Sequence, residues 1–511
     1  MQQPYRIVIV GGGTAGWMTA ASISSLYKDP SRYQIVLIES EEIGSVGVGE
    51  ATLPQIKSFN DQLGIVEADM MKETNATFKL GIKFVDWGKI GNDYIHPFGL
   101  YGGPGNTFEF HQYWAHIRSQ KSIPEISHYS LAVHLCKKNL FNLPSKNPDE
   151  IENTFSYAYH FDATLYARYL RKISEKAGVQ RINGIVVSIN NDKETGEITS
   201  AGLKDGKEVC GDFFIDCSGF RSLLLEKNLK AEFEDWSDWL PCDRAMAVQS
   251  DREENIPPYT VSTAKEGGWQ WRIPLQHRTG NGYVFCSSVI NEAQAHDSLL
   301  QDIHGKAQTE PRLLKFKAGR YKNSWRKNCV AIGLSSGFLE PLESTSIYLI
   351  QIAIICLLRL FPARRDSRNS ILADEYNRLI DNEYERIRDF LILHYHLNER
   401  TDSELWRHCR SMEIPESLSQ KMDLFKRRGY TESFKYGLFS TPSWLAVLYG
   451  QGLSQTGIDP FISSIPLAQI EPLLSDVEAK INQALSSSYT HKQFIDEYCA
   501  SHAMSGEQNE R

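Results

Sequence analysis

The chain of 511 residues, 41% of them hydrophobic, is long enough to bury one large core or two, and its length alone favours two to four domain-sized units. A formal charge of −8 and a pI near 6.0 argue against a nucleic-acid partner or an anionic membrane surface. Nine cysteines, odd in number and without a CxxC pair, read as reduced thiols, and the opening MQQPYRIVIVGGG passes straight into a strand with no signal peptide, so the expected compartment is the cytoplasm.

In chain order, YRIVIV is a hydrophobic strand, GGGTAG a glycine-rich turn, WMTAASISSLY a helix, and YQIVLIES a second buried strand ending in Glu39. TFKLGIKF then alternates, with Thr77, Lys79, Gly81 and Lys83 on one face and Phe78, Leu80, Ile82 and Phe84 on the other; by pattern alone Lys79 is an exposed strand lysine. FDATLYARYLRKISEKAG has helical periodicity, and three or four strands follow up to FFIDCSG, with a turn at Lys193-Glu194-Thr195-Gly196. RAMAVQS, GGWQWRIPL and GYVFCSS continue as strands. If the second of these is extended, Trp269 and Trp271 project to the same side, and by pattern alone they are core aromatics. STSIYLIQIAIICLLRLF is strongly apolar, yet it is bracketed by Glu343 and Arg359 and falls short of the roughly 20 residues a bilayer requires, so it reads as a buried helix and no membrane partner is expected. From about residue 370 the pattern becomes helical, DEYNRLIDNEYERIRDFLILHYHL most clearly, and the end reads as a disordered tail.

The first chemical signal is Gly11-x-Gly13-x-x-Gly16 between strand and helix. Gly11 permits the tight turn, Gly13 lets backbone approach a pyrophosphate, Gly16 allows close helix packing, and the helix N-terminus faces the negative charge. Glu39, at the end of the next strand, is placed to accept from ribose hydroxyls. The return of a buried strand and an acid-small-small-Gly turn at FFIDCSGFRS suggests that the same nucleotide is clasped again from a distant part of the chain, as in large FAD monooxygenase-type folds. There is no second GxGxxG in a βαβ setting for NADPH, so reduced flavin would come from another protein.

The blocks GGGTAGW, GVGEAT (47–52), FKLGIKF, HFDATLYARYLR, DCSGFRSLL, WQWRIP and FLEPLESTSIY, in this order from residue 6 to about 360, resemble the flavin-dependent tryptophan halogenase family; WxWxIP is the diagnostic one. The resemblance implies an α/β fold: a Rossmann-type, monooxygenase-like FAD-binding core over 1–365 with an inserted β-sheet substrate module, a mainly helical substrate-capping part over 366–500, and a tail over 501–511. It implies that reduced FAD and oxygen convert bound chloride or bromide into hypohalous acid, which travels to a second chamber and halogenates an electron-rich, indole-like ring. FAD contacts would come from Gly11, Gly13, Thr14, Ala15, Gly16, Glu39, Gly49, Glu50, Ala51 and Leu334. Lys79 matches the catalytic lysine, which either hydrogen-bonds the oxidant or forms a haloamine. Glu343 matches the carboxylate that stabilises the cationic ring and helps remove its proton. Thr345 and Ser346 offer backbone donors to the halide, although family members often have glycine where Ser346 stands. Trp269 and Trp271 become a barrier, since an oxidising flavin beside an organic substrate would hydroxylate it. His96 and Phe98 match the pair that packs on the ring. Further along, Phe439 falls near a stacking tryptophan, and Trp444 with Leu445 falls where tryptophan-specific members carry the tyrosines that hold the amino-acid head group. The partners implied are a separate NAD(P)H-dependent flavin reductase and a small aromatic substrate, and a homodimer is compatible with the chain. An FAD-dependent aromatic hydroxylase and a non-catalytic flavoprotein are the other readings.

Overall fold

The computed structural model describes residues 3–42, 49–104, 109–362, 369–432 and 437–501. Gly47 and Val48 of GVGEAT, the expected boundary at 365 and the tail from residue 502 lie outside these. Contacts divide the chain into two compact units, each assembled from three stretches: residues 1–76, 161–238 and 315–385 in one, and 77–160, 239–314 and 386–511 in the other.

The first unit is built on a six-stranded sheet in the order Trp325–Arg326, Cys329–Ala331, Phe213–Asp216, Tyr5–Val10, Tyr33–Glu39, Gln180–Asn183. All neighbours run parallel except the first pair. Parallel strands buried on both faces need continuous apolar runs, which YRIVIV and YQIVLIE supply. The helix Thr14–Leu26 follows the first strand and completes the expected βαβ unit. The helix Ala163–Lys176 starts where the Asp162 carboxylate accepts from the N–H groups of Thr164 and Leu165. The apolar stretch forms the helix Thr345–Arg359, buried along most of its length. No helix among the described residues is long and apolar enough to cross a membrane.

The second unit is built on a seven-stranded sheet in the order Arg312–Lys315, Arg244–Ser250, Thr279–Phe285, Gly268–Pro274, Thr260–Lys265, Gly81–Val85, Asp93–Pro97. The helices Glu404–Ser411, Glu416–Arg428, Thr441–Gly450 and Leu467–Ser486 make its C-terminal part mainly helical, as the periodicity predicts. One expectation fails. TFKLGIKF is not one alternating strand but two, Thr77–Lys79 and Gly81–Val85, separated at Leu80. The Leu80 N–H bonds to the Pro258 carbonyl at 2.7 Å and its own carbonyl accepts from Phe98, so the chain leaves one sheet for another there. Gly81 allows the turn-off, because a Cβ at that position would lie 2.4 Å from the His96 carbonyl oxygen. Thr77–Lys79 pairs antiparallel with Ala158–Asp162 and is buried on both faces, so Lys79 is wholly buried rather than an exposed strand lysine.

Candidate active site

In the first unit three loops converge. Gly11 has φ +115°, and a Cβ there would meet the Cys217 carbonyl oxygen at 2.2 Å, so the glycine loop lies against the DCSG turn that returns at the neighbouring strand, where Val10 pairs with Asp216. A Cβ on Gly16 would strike the Gly11 carbonyl, which shows how tightly the helix closes on the loop. The third segment is the 3₁₀ turn Gly333–Ser335, where Gly333 abuts Ala15 and leaves Leu334 half-buried beside the helix start. Asp216 is engaged within its own turn. Its carboxylate accepts from Ser218, Leu224 and Leu225; burial pushes its pKa up and these donors oppose the shift, so its work is to hold the DCSG turn.

Gly13 caps the helix Thr14–Leu26 without a side-chain hydrogen bond, and no atom of the described residues approaches within 4 Å of where its Cβ would be. Uncapped N–H groups with open space in front of them at a helix N-terminus suit a pyrophosphate. Glu39 lies against Gly12, already holding Arg181 at 2.5 Å, Arg171 at 3.6 Å and the Trp17 indole N–H at 3.1 Å. A carboxylate has about four lone-pair positions, so it retains capacity for a ribose hydroxyl. Glu50, half-buried in the short strand Gly49–Ala51, has its carboxyl pushed up to about 7 by desolvation.

In the same unit, Glu343 is fully buried at the end of the 3₁₀ turn Pro341–Glu343. Ser344 follows in the left-handed region, φ 59°, and opens the helix Thr345–Arg359 with no side-chain cap. Thr345 is fully buried and its hydroxyl has no hydrogen-bond partner among the described residues. A buried orphan hydroxyl beside uncapped amides is costly unless an acceptor occupies the space, and a halide is such an acceptor. Ser346 is half-buried and keeps its backbone donor.

In the second unit, the Lys79 ammonium lies 5.0 Å from the centroid of the Phe98 ring. Phe98 meets His96 edge-on at 6.4 Å, His96 faces Phe439 at 6.2 Å, Phe439 stacks on Phe390 at 3.9 Å, and Trp444 meets Phe390 edge-on at 5.2 Å. The four expected substrate residues therefore share one aromatic cluster with the lysine. Phe390, which the periodicity of its helix marks only as a buried position, joins them. Beyond Trp444 is a cavity of about 10 Å³ lined by residues that include Lys421, Tyr430 and Glu432. That is space for about one water.

Trp269 and Trp271 are both buried on the strand Gly268–Pro274, with ring centroids 6.1 Å apart. Trp271 pairs with Gly282, where any Cβ would fall 2.0 Å from the indole, so the ring lies across the neighbouring strand. Trp269 packs on Trp87 at 6.5 Å, which in turn meets Trp406 and Tyr395.

The strand that carries Lys79 has polar neighbours that pattern reading missed. His160 and His491 are fully buried, and desolvation drives both pKa values down, that of His491 to about 4; the Lys79 charge adds to the effect at His160. The sign of the pH effect follows. An unfolded histidine takes up its proton near 6.5, whereas His491 stays neutral in the fold until about 4, so stability is lost as pH falls through that interval. The shift corresponds to about 3 kcal/mol. His491→Gln is expected to flatten the fall in melting temperature between about pH 6.5 and 4, and an acid limb identical to that of the wild type would show that His491 does not set it.

The sequence matches the Tryptophan halogenase family over residues 6–466. The chain belongs to that family. This halogenase is 35% identical to tryptophan 6-halogenase SttH of Streptomyces toxytricini, across 93% of this chain and 94% of that one. Among solved structures, it is similar to BrvH, a flavin-dependent halogenase from Brevundimonas sp. BAL3, with a TM-score of 0.92 and 44% identity over 97% of this chain and 99% of that one. It is likewise similar to a flavin-dependent halogenase from Xanthomonas campestris, with a TM-score of 0.93 and 41% identity over 98% and 99%. The fold is thus the FAD-binding α/β fold of flavin-dependent halogenases, and the protein is an oxidoreductase of that kind, using FAD and halide. The open glycine loop and the orphaned Thr345 hydroxyl fit these two groups.

Proposed function

We propose that this halogenase acts on an indole-like ring that carries no amino-acid head group, with Lys79 delivering the halogen and Glu343 taking the ring proton. The observation that carries the reading is the wholly buried Lys79, its ammonium over Phe98 inside the cluster of His96, Phe390, Phe439 and Trp444. FAD, reduced by a separate NAD(P)H-dependent reductase, supplies with oxygen the oxidising equivalent that turns chloride or bromide into hypohalous acid.

The chain's own residues do the rest. The glycine loop and the helix start hold the pyrophosphate, Glu39 a ribose hydroxyl, and Thr345 with Ser346 the halide. Lys79 either donates a hydrogen bond to the hypohalous oxygen, weakening the oxygen–halogen bond, or carries the halogen on its amine; burial, which favours a neutral amine, suits the second role, and the charge suits the first. In the first case the ring carbon bonds to halogen as the oxygen–halogen bond breaks and the oxygen leaves as water on the proton that Lys79 donates; in the second the nitrogen–halogen bond breaks and the lysine amine is regenerated. Glu343 stabilises the cationic ring and accepts its proton. Flat aromatic faces at His96, Phe98 and Phe439 suit an electron-rich ring.

The reading that no head-group site is present rests on Trp444 and Leu445, both buried, at the positions where the family resemblance places the tyrosines that hold an amino-acid head group. A charged ammonium and carboxylate without partners is costly to bury. The test is purified protein with a flavin reductase, NADH, FAD and bromide against indole, L-tryptophan and phenols, read by mass spectrometry. Higher kcat/KM on indole than on L-tryptophan is expected; equal or better efficiency on L-tryptophan would show that other residues grip the head group. Omitting bromide must abolish the mass-shifted product, since a hydroxylase would not need it.

Trp269 and Trp271 are proposed to keep substrate away from the flavin while passing a small oxidant. Trp271→Ala costs about 3–5 kcal/mol of packing and is expected to raise hydroxylated by-products relative to halogenated product. A product ratio insensitive to the change would count against a barrier.

A further inference from the structure

The strand Thr77–Lys79 is only three residues long and ends in a change of sheet, so its ladder alone constrains it weakly. Two buried histidines from distant parts of the chain hold it. On one side Thr77 pairs in register with His160. The Thr77 hydroxyl donates to the Pro274 carbonyl at 2.7 Å, so it is the acceptor of its 3.0 Å bond from His160 Nδ1–H. His160 Nε2, left without a proton, then accepts from the Thr260 hydroxyl at 3.0 Å. Next along the strand, the Phe78 N–H donates to His491 Nε2 at 3.2 Å, while His491 Nδ1–H donates to the Ile256 carbonyl at 2.9 Å. Each ring is therefore fixed in one tautomer and uses both nitrogens. Pro274 ends the strand of Trp269 and Trp271, and Thr260 begins its neighbour. The lysine strand is in this way tied to the tryptophan strand through side chains.

We propose that His160 and His491 are positioning residues that clamp the lysine strand and set where the Lys79 ammonium stands against Phe98. Protonation would put an N–H on His491 opposite the Phe78 N–H and on His160 opposite a hydroxyl that must then reverse, so the clamp works only with neutral rings. The lysine gains from this a fixed height in a site where a misplacement of about 1 Å costs about 100-fold in rate. The inference rests on the assignment of Lys79 as the residue that delivers halogen.

The experiment compares His491→Phe, which keeps the ring packed on Phe78 and Phe141 but loses both hydrogen bonds, with His491→Gln, whose amide supplies one acceptor and one donor. Thr77→Val, close in shape and lacking the hydroxyl, is the second loss variant should His491→Phe not fold. Hypohalous acid is measured with monochlorodimedone in the absence of substrate, and halogenated indole by mass spectrometry in its presence. His491→Phe and Thr77→Val are expected to form oxidant at the wild-type rate, to lose product per oxidant about tenfold or more, and to leave KM for indole unchanged, with His491→Gln restoring most of the yield. Wild-type yield in the loss variants, or a loss of yield that matches a loss of oxidant, overturns the clamp. Lys79→Ala run alongside separates the two ideas: full yield in that variant overturns the lysine's assignment, whereas yield lost there but kept in both clamp variants overturns the clamp alone.

Discussion

Lys79→Ala is expected to form hypohalous acid at the wild-type rate and to halogenate almost nothing. The side chain is wholly buried, so the substitution removes a charged donor from a place water does not replace it. A donor aimed at charge that develops during reaction is worth about 100- to 1,000-fold, and flavin chemistry, which precedes the lysine, does not depend on it. Product per oxidant, with released oxidant scavenged, is the measurement. Wild-type halogenation under scavenging would remove Lys79 from the mechanism. Lys79→Arg separates the two modes of action: a guanidinium keeps the charge and the donor but stays protonated, so it supports activity by hydrogen bonding and none through a haloamine.

Glu343→Gln is expected to slow halogenation about 100-fold or more without loss of FAD binding or of fold. Glutamine fills the same buried volume at the end of the turn Pro341–Glu343, yet a neutral amide neither balances a cationic ring nor takes its proton. Single-turnover rates of bromoindole formation, with flavin fluorescence as the binding control, measure this. Undiminished turnover would take Glu343 out of the reaction and leave it as a carboxylate favoured by the helix dipole.

Much of the fold was legible because short-range rules govern it. The βαβ unit follows from apolar runs around a glycine turn, and the register of Val10 with Asp216 explains why a second acidic turn appears so far along the chain. The lysine's burial was not legible. Alternation across Leu80 and Gly81 describes one strand with one wet face, whereas the chain turns into a second sheet there and both faces are covered. Phe390 was hidden for a different reason: a helix periodicity marks which face is buried but not what it meets. His491 bonds to a backbone group 413 residues earlier, and no local pattern carries such a contact. The catalytic assignments themselves came from resemblance, since a lysine, a glutamate and two tryptophans have ordinary structural explanations by spacing alone.

The sulfur inventory bears on durability. All nine thiols are free, and eight are buried; burial pushes Cys356 up to about 11 and Cys136 and Cys217 higher still. Thiolate is the form that electrophilic halogen attacks fastest, so Cys136, Cys217 and Cys356 offer little of it at neutral pH. Cys210 alone stands exposed, at the end of the short strand Glu208–Cys210 in the first unit. Oxidant that escapes into solution therefore meets a sacrificial thiol at the surface before it meets any in the core, and the protein ages from its edge inward.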